Sequence, residues 1–145
     1  MTVGNEETFS HTFTIHGKDF LAAGRVSTEI KGMLKELGID AAFIRRVAIA
    51  SYEAEMNVVM YANDATVTLS VTPRVIRITV DDRGPGIPDV GLAMQEGYST
   101  ATHEMREMGF GAGMGLPNIK KNSDEFTIES TVGKGTILRI AVNIG

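Results

Sequence analysis

Eight of the chain's 16 glycines fall between Gly84 and Gly115. Average usage near 7% would put about 10 glycines in the whole chain, and uniform looseness would scatter them. A window this rich in residues without a Cβ, with Pro85 and Pro88 added, cannot be regular structure throughout. Helices and strands must therefore come from the segments on either side. Something inside the window must also need bare backbone.

The flanks carry clear periodicities. Phe9, His11, Phe13 and Ile15 alternate with polar residues, which predicts a strand with those four on one face, ended by Gly17. Asp19 predicts the N-cap of a helix whose apolar positions include Phe20, Ala23, Val26, Ile30, Leu34 and Leu37, closed by Gly38. Asp40 caps a second helix, strongly apolar from Phe43 and Ile44 through Val47 and Ala50 to Met56, Val58, Val59 and Met60. Such helices lie deep against a sheet, and Glu53, Glu55 and Asn57 are its polar exceptions. Strands over Ala65–Val71 and Val75–Asp81 flank the joint Thr72-Pro73-Arg74, a hairpin pattern. After the breakers Asp82 to Asp89 comes a loose segment from Gly97 to Ala112, then a helix from about Met114 to Asn122. A second hairpin, Glu125–Ser130 with Thr136–Asn143, turns around Val132-Gly133-Lys134-Gly135. This order predicts an α+β two-layer sandwich: a mixed, mostly antiparallel sheet covered on one face by helices.

Composition narrows the functional classes. A length of 145 residues suits one domain, here 1–145, with a core that needs no staples. Cysteine is absent, which excludes a disulfide framework, a thiolate zinc site and a thiol nucleophile. A formal net charge of −4 argues against nucleic acid as a partner. Met1 to Glu7 carries two acids and no apolar run, and no window approaches the roughly 20 apolar residues of a membrane span. No membrane partner and a cytoplasmic location are expected.

Two glycine clusters could carry chemistry. Gly84-Pro85-Gly86 follows a strand end, and Gly111-Ala112-Gly113-Met114-Gly115 opens a helix, where exposed N–H groups can cradle phosphate. The dinucleotide fingerprint fails, because the second cluster reads G-x-G-x-G and the first leads into Ile87-Pro88 instead of a helix. A Walker loop fails as well, since Gly133-Lys134 is followed by Gly135 where Ser or Thr is required. The plain alternative is that both clusters are turns. Glu53 and Asn57, spaced i, i+4, share one face of the apolar second helix. Either they cap neighbouring backbone or sit at an exposed edge, or their face lines a pocket. In a pocket, Asn57 would offer an oxygen to Mg²⁺ and Glu53 would act as a base.

These features, in this order, resemble the GHKL ATP-binding fold shared by gyrase, Hsp90, histidine kinases and MutL. Glu53-x-x-x-Asn57 is similar to its N box, and Asp82-Arg83-Gly84-Pro85-Gly86 to its D-x-G-x-G box. Gly111 to Leu116 is similar to its G2 box, and Gly133-Lys134-Gly135-Thr136 to its closing G-x-G-T. The resemblance implies that Asp82 hydrogen-bonds the adenine amino group and that Thr136 supports the same contact. It implies that Gly84 and Gly86 let the backbone approach the base, and that Gly111, Gly113 and Gly115 form the phosphate-facing end of a lid. By the same resemblance Asn57 holds Mg²⁺ and Glu53 is the general base.

Within that fold the chain is similar to the free-standing anti-sigma serine/threonine kinases of bacterial partner switching. Glu96-Gly97-Tyr98-Ser99-Thr100 and Gly113-Met114-Gly115-Leu116-Pro117 are closest to the stressosome switch-kinase branch, with the sigma-binding branch further away. Histidine kinases commonly carry Lys three residues after the N-box Asn, where this chain has Met60, and His11, His16 and His103 look isolated. One departure concerns the arginine that relatives place before the G2 glycines to reach the γ-phosphate. Gly111 stands there, and Arg106 is the nearest arginine upstream. The resemblance implies ATP-dependent phosphorylation of a STAS-domain protein, with a sigma factor or a PP2C-type phosphatase as further partners. The competing reading is a nucleotide-dependent module that regulates by contact, with Met94, Met105 and Met108 as adaptable partner contacts or plain core filler.

Overall fold

Alternation decides the sheet. In Asp64–Val71 every second residue is buried, and Val67, Leu69 and Val71 point to one side while Thr66, Thr68 and Ser70 point to the other. A computed structural model describes residues 8–95 and 115–145. Its strands are β1 (Phe9–His16), β2 (Asp64–Val71), β3 (Val75–Arg83), β4 (Glu125–Thr131) and β5 (Gly135–Asn143). They form one sheet in the order β1-β2-β3-β5-β4. All four pairings are antiparallel, so the described sheet has no parallel pair. The helices are α1 (Arg25–Glu36), α2 (Ala41–Tyr61), a single turn α3 (Val90–Ala93) and α4 (Gly115–Lys121).

The core lies between one sheet face and the helices. Ile30 and Leu34 of α1 and Val47, Ala50, Ala54 and Val58 of α2 are buried with Leu69, Ile78, Val80 and Ile140 of the sheet. As its composition predicts, α2 is central: it packs against α1, α4 and four of the strands. The opposite sheet face is polar and carries the Arg139–Glu129 ion pair at 3.1 Å. The α+β two-layer reading is thus borne out. Among the described residues no helix is long and apolar enough to cross a membrane.

Two expectations are corrected. Asp19 does cap a helical turn, but only a 3₁₀ turn over Phe20–Ala22, its carboxylate accepting from the Ala22 N–H at 3.3 Å. Gly24 then enters left-handed backbone at φ 96°, which stops that turn, and α1 starts afresh at Arg25. Leu37 lies beyond the end of α1 and is exposed, so it is not part of the apolar face. His11 shares the inward face of β1 but is exposed, its ring 4.7 Å from that of Phe13. The one-turn α3, capped by Asp89 through the Leu92 N–H, was not expected from the breaker-rich sequence. The predicted loose segment Gly97–Ala112, with Tyr98, Ser99, His103, Met105, Arg106 and Met108, lies outside the described residues.

Candidate functional site

The register of β3 and β5 pairs Asp82 directly with Thr136. Two motifs 54 residues apart therefore meet by strand pairing alone. The Thr136 N–H donates to Asp82 Oδ1 at 3.1 Å. Burial pushes the Asp82 carboxyl above the ordinary carboxylate range, and the Thr136 N–H and the Arg83 charge only partly oppose this. Thr136 is itself buried, with its hydroxyl 2.9 Å from Ser130 Oγ. Ser130 also accepts the Ile87 N–H at 2.7 Å, which fastens the loop after β3 to β4. Sequence reasoning missed Ser130. The available signal was its period-two position in β4, which puts it beside the strand that carries Thr136.

The loop glycines have a reason in the protein's own backbone. A Cβ on Gly84 would lie 2.9 Å from the Ala62 Cα, just past the end of α2. At Gly86, φ is +77° and a Cβ would lie 2.5 Å from the Thr131 carbonyl oxygen. Bare backbone is needed here for the loop to pass between α2 and the β4 end, whatever ligand it also meets. The same loop is held by the Gly84 N–H on Lys134 O at 3.2 Å and the Gly133 N–H on Pro85 O at 2.9 Å.

Glu53 and Asn57 are both half-buried on α2, one turn apart. Asn118 Nδ2 of α4 donates to Glu53 Oε2 at 3.0 Å. A Cβ on Gly115 would stand 3.4 Å from Asn57 Oδ1, so the first residue of α4 faces that amide closely. Of the three G2 glycines only Gly115 is described; Gly111 and Gly113 lie outside the described residues. Glu53 also lines a groove of about 400 Å³ between α1 and α2, with Ser27, Thr28, Lys31, Tyr52 and Asn118 among its walls. From Glu53 to Ala62, α2 covers roughly 14 Å at 1.5 Å per residue. One helix thus joins the groove, the Asn57 amide and the Asp82 loop.

Glu55 has a different part, which the sequence reading did not assign. It is buried, and its carboxylate accepts the Gly24, Val26 and Ser27 N–H groups at 3.1, 3.1 and 2.9 Å. It is the N-terminal cap of α1, supplied from another helix. The signal was available: α1 begins after glycine, with no Ser, Thr, Asp or Asn to cap it, and a carboxylate on an apolar helix needs donors. Glu53, the predicted base, keeps its carboxylate at the groove, and Glu55 spends its own on structure.

Comparison with known proteins follows the same lines. Residues 21–142 match the family described as histidine kinase-like ATPase domain. The chain is 31% identical to the serine/threonine-protein kinase RsbT of Bacillus subtilis over 122 residues, covering 81% of this chain and 84% of that one. It is 36% identical to an anti-sigma F factor of Caldanaerobacter subterraneus over 107 residues, covering 70% of this chain and 71% of that one. Among solved structures it resembles the RsbU and RsbW domains of a Mycobacterium tuberculosis protein, with a TM-score of 0.57 and 18% identity. That likeness covers 90% of this chain but only 32% of the larger one, and it concerns the fold alone.

Proposed function

Because the chain belongs to the histidine kinase-like ATPase family, we propose that it is a serine/threonine protein kinase that uses ATP in bacterial partner switching. Its proposed substrate is a STAS-domain protein, and it works in the cytoplasm. The observation that carries this reading is the placement of Glu53, at a groove open to solvent yet one turn from Asn57. A domain that only held nucleotide would have no use for a carboxylate there. The similarity to RsbT, a named serine/threonine kinase, supports the same class.

In this reading Asp82 accepts from the adenine amino group through the carboxylate oxygen that Thr136 leaves free, and Thr136 supports the same contact. Gly84 and Gly86 keep the loop low enough for the base to lie against it. Gly111, Gly113 and Gly115 face the phosphates. Asn57 holds Mg²⁺: one half-buried amide oxygen suits an ion that takes few protein ligands and completes its shell with phosphate and water. When bound, the ion neutralises charge on the phosphates. Glu53 orients the incoming serine or threonine hydroxyl and takes its proton. The hydroxyl oxygen bonds to the γ-phosphorus, the bridging bond to the β-phosphate breaks, and ADP leaves. Asn118, donating to Glu53, fixes which way that carboxylate points. Positioning does most of the work, because the transition state of phosphoryl transfer is loose.

A second reading is favoured by the similarity to anti-sigma F factors. In it the nucleotide sets the shape of a surface that binds a sigma factor or a PP2C-type phosphatase, and contact regulates. Incubation with γ-labelled ATP and the STAS-domain proteins encoded beside it separates the two. Label on serine or threonine of such a protein supports the kinase; tight, nucleotide-dependent binding without label supports the contact module.

A further inference from the structure

Glu53 stands at one end of the groove between α1 and α2, and the charge of the walls changes along its length. The two helices run antiparallel: residues 37–40 connect them at one end, and Glu55 of α2 caps the start of α1 at the other. Lys31 is the one cation and Glu53 the one acid among the described walls, and Ala48, Ile49 and Tyr52 form the apolar part. Lys35, four residues beyond Lys31, and Arg45, four before Ile49, continue the same helix faces toward the connection, and all three cations are exposed. We propose that this groove docks the acceptor segment of the protein substrate, and that Lys31, Lys35 and Arg45 select segments with acidic residues at a set distance from the hydroxyl. This rests on the kinase reading given above.

Charge complementarity identifies the occupant. Arg25 of α1 is paired with Glu29 at 2.7 Å, and Arg46 of α2 with Asp124 at 3.1 Å. No described acid pairs with Lys31, Lys35 or Arg45. Three like charges on one face of a protein with a net charge of −4 make a local field that attracts anionic groups. Tyr52 keeps 44% of its surface exposed at the same wall. A segment lying on Tyr52 and Ile49 buries apolar surface and brings its acids to the cations.

Helix geometry sets the spacing. From Glu53 to Ala48, the far wall on α2, is about 7.5 Å at about 1.5 Å per residue, and from Glu53 to Arg45 about 12 Å. An extended segment advances about 3.3 Å per residue. With its hydroxyl at Glu53, acidic side chains about two to four positions along therefore reach the cations. An acid directly beside the hydroxyl meets the Glu53 carboxylate and is repelled. The groove thus selects position as well as charge, by one attraction and one repulsion.

The test is binding of dye-labelled peptides to the full chain, read by fluorescence anisotropy. The peptides are Ser-Gly-Asp-Glu-Asp and Asp-Glu-Asp-Gly-Ser, covering both chain directions, and their neutral twins with Asn-Gln-Asn. Wild type is expected to bind one acidic peptide about tenfold tighter than its twin, the sum of several exposed charge pairs. That preference falls as salt rises from about 0.05 to about 0.5 M. Combining Lys31→Gln, Lys35→Gln and Arg45→Gln removes most of it, whereas Lys31→Arg keeps it. The readout is a ratio, so loosening that weakens both peptides together leaves it unmoved. The single Gln variants narrow it less and decide the matter if the triple variant fails to fold by circular dichroism. A wild type that binds neither peptide, or both equally, overturns the proposal, as does a preference unchanged in the Gln variants. A dimer in sedimentation that the Gln variants split, without peptide preference, gives this face to a second copy and also overturns it. Label passed to a STAS-domain protein without peptide preference overturns the docking and spares the kinase reading. Peptide preference without label on any STAS-domain protein supports the groove and overturns the kinase reading.

Discussion

In the proposed function Asp82 is the residue on which nucleotide recognition turns. Replacing it by Asn keeps the shape and the bond to the Thr136 N–H but puts a donor where the adenine amino group needs an acceptor. Asp82→Asn is expected to weaken ATP binding by about tenfold or more, as one charged hydrogen bond is lost; fluorescence or calorimetric titration checks it. Its pH behaviour follows from the burial that raises its pKa. In the proposed contact the ionised carboxylate is the better acceptor for the adenine amino group, so ATP affinity should fall as acid is added, at a higher pH than an ordinary aspartate would give. Asp82→Asn should flatten that fall. Stability moves the other way: the folded protein holds this proton more readily than the unfolded chain, so the group favours folding more as pH falls. Asp124, lowered by the Asn143 N–H and by Arg46, has the opposite sign. Its contribution is present above its unfolded pKa and is lost as pH drops through the lowered folded value.

At the level of elements, two contacts decide whether the site assembles. The first is the cap that Glu55 of α2 puts on α1. Glu55→Ala leaves three backbone N–H groups without that partner and should cost about 1–3 kcal/mol in denaturant unfolding. ATP affinity per folded molecule should change little, since the Glu55 carboxylate is taken up by the N-terminus of α1. The second is the loop of Gly86. Gly86→Ala puts a Cβ against the Thr131 carbonyl at a left-handed backbone position and should destabilise by more than about 1 kcal/mol in the same assay. Sequence pattern made the strands, the helix order and the central α2 readable, because alternation and an unbroken apolar run are local signals. The cap from Glu55 and the clamp by Ser130 left only indirect signals, because each joins residues about 30 to 45 positions apart. The start of α1 was misplaced for a related reason: Asp19 is a good local cap, and only the left-handed turn at Gly24 reveals that the helix starts later.

For the whole molecule, the sheet holds the Asp82–Thr136 pair at one end of α2 and the helical layer holds the groove and Glu53 further back along it. The glycine excess that first marks the sequence divides accordingly. Gly84 and Gly86 let a loop pass close to Ala62 and Thr131, and Gly115 brings α4 up to Asn57. In the proposed function this arrangement separates binding from transfer, so one variant tests it. The decisive measurement is single-turnover transfer from saturating γ-labelled ATP to the proposed STAS-domain substrate, by wild type and by Glu53→Ala. The account predicts that the variant binds ATP as wild type does and transfers phosphate at least about a hundredfold more slowly, the usual worth of a general base. Transfer at the wild-type rate by Glu53→Ala would contradict it.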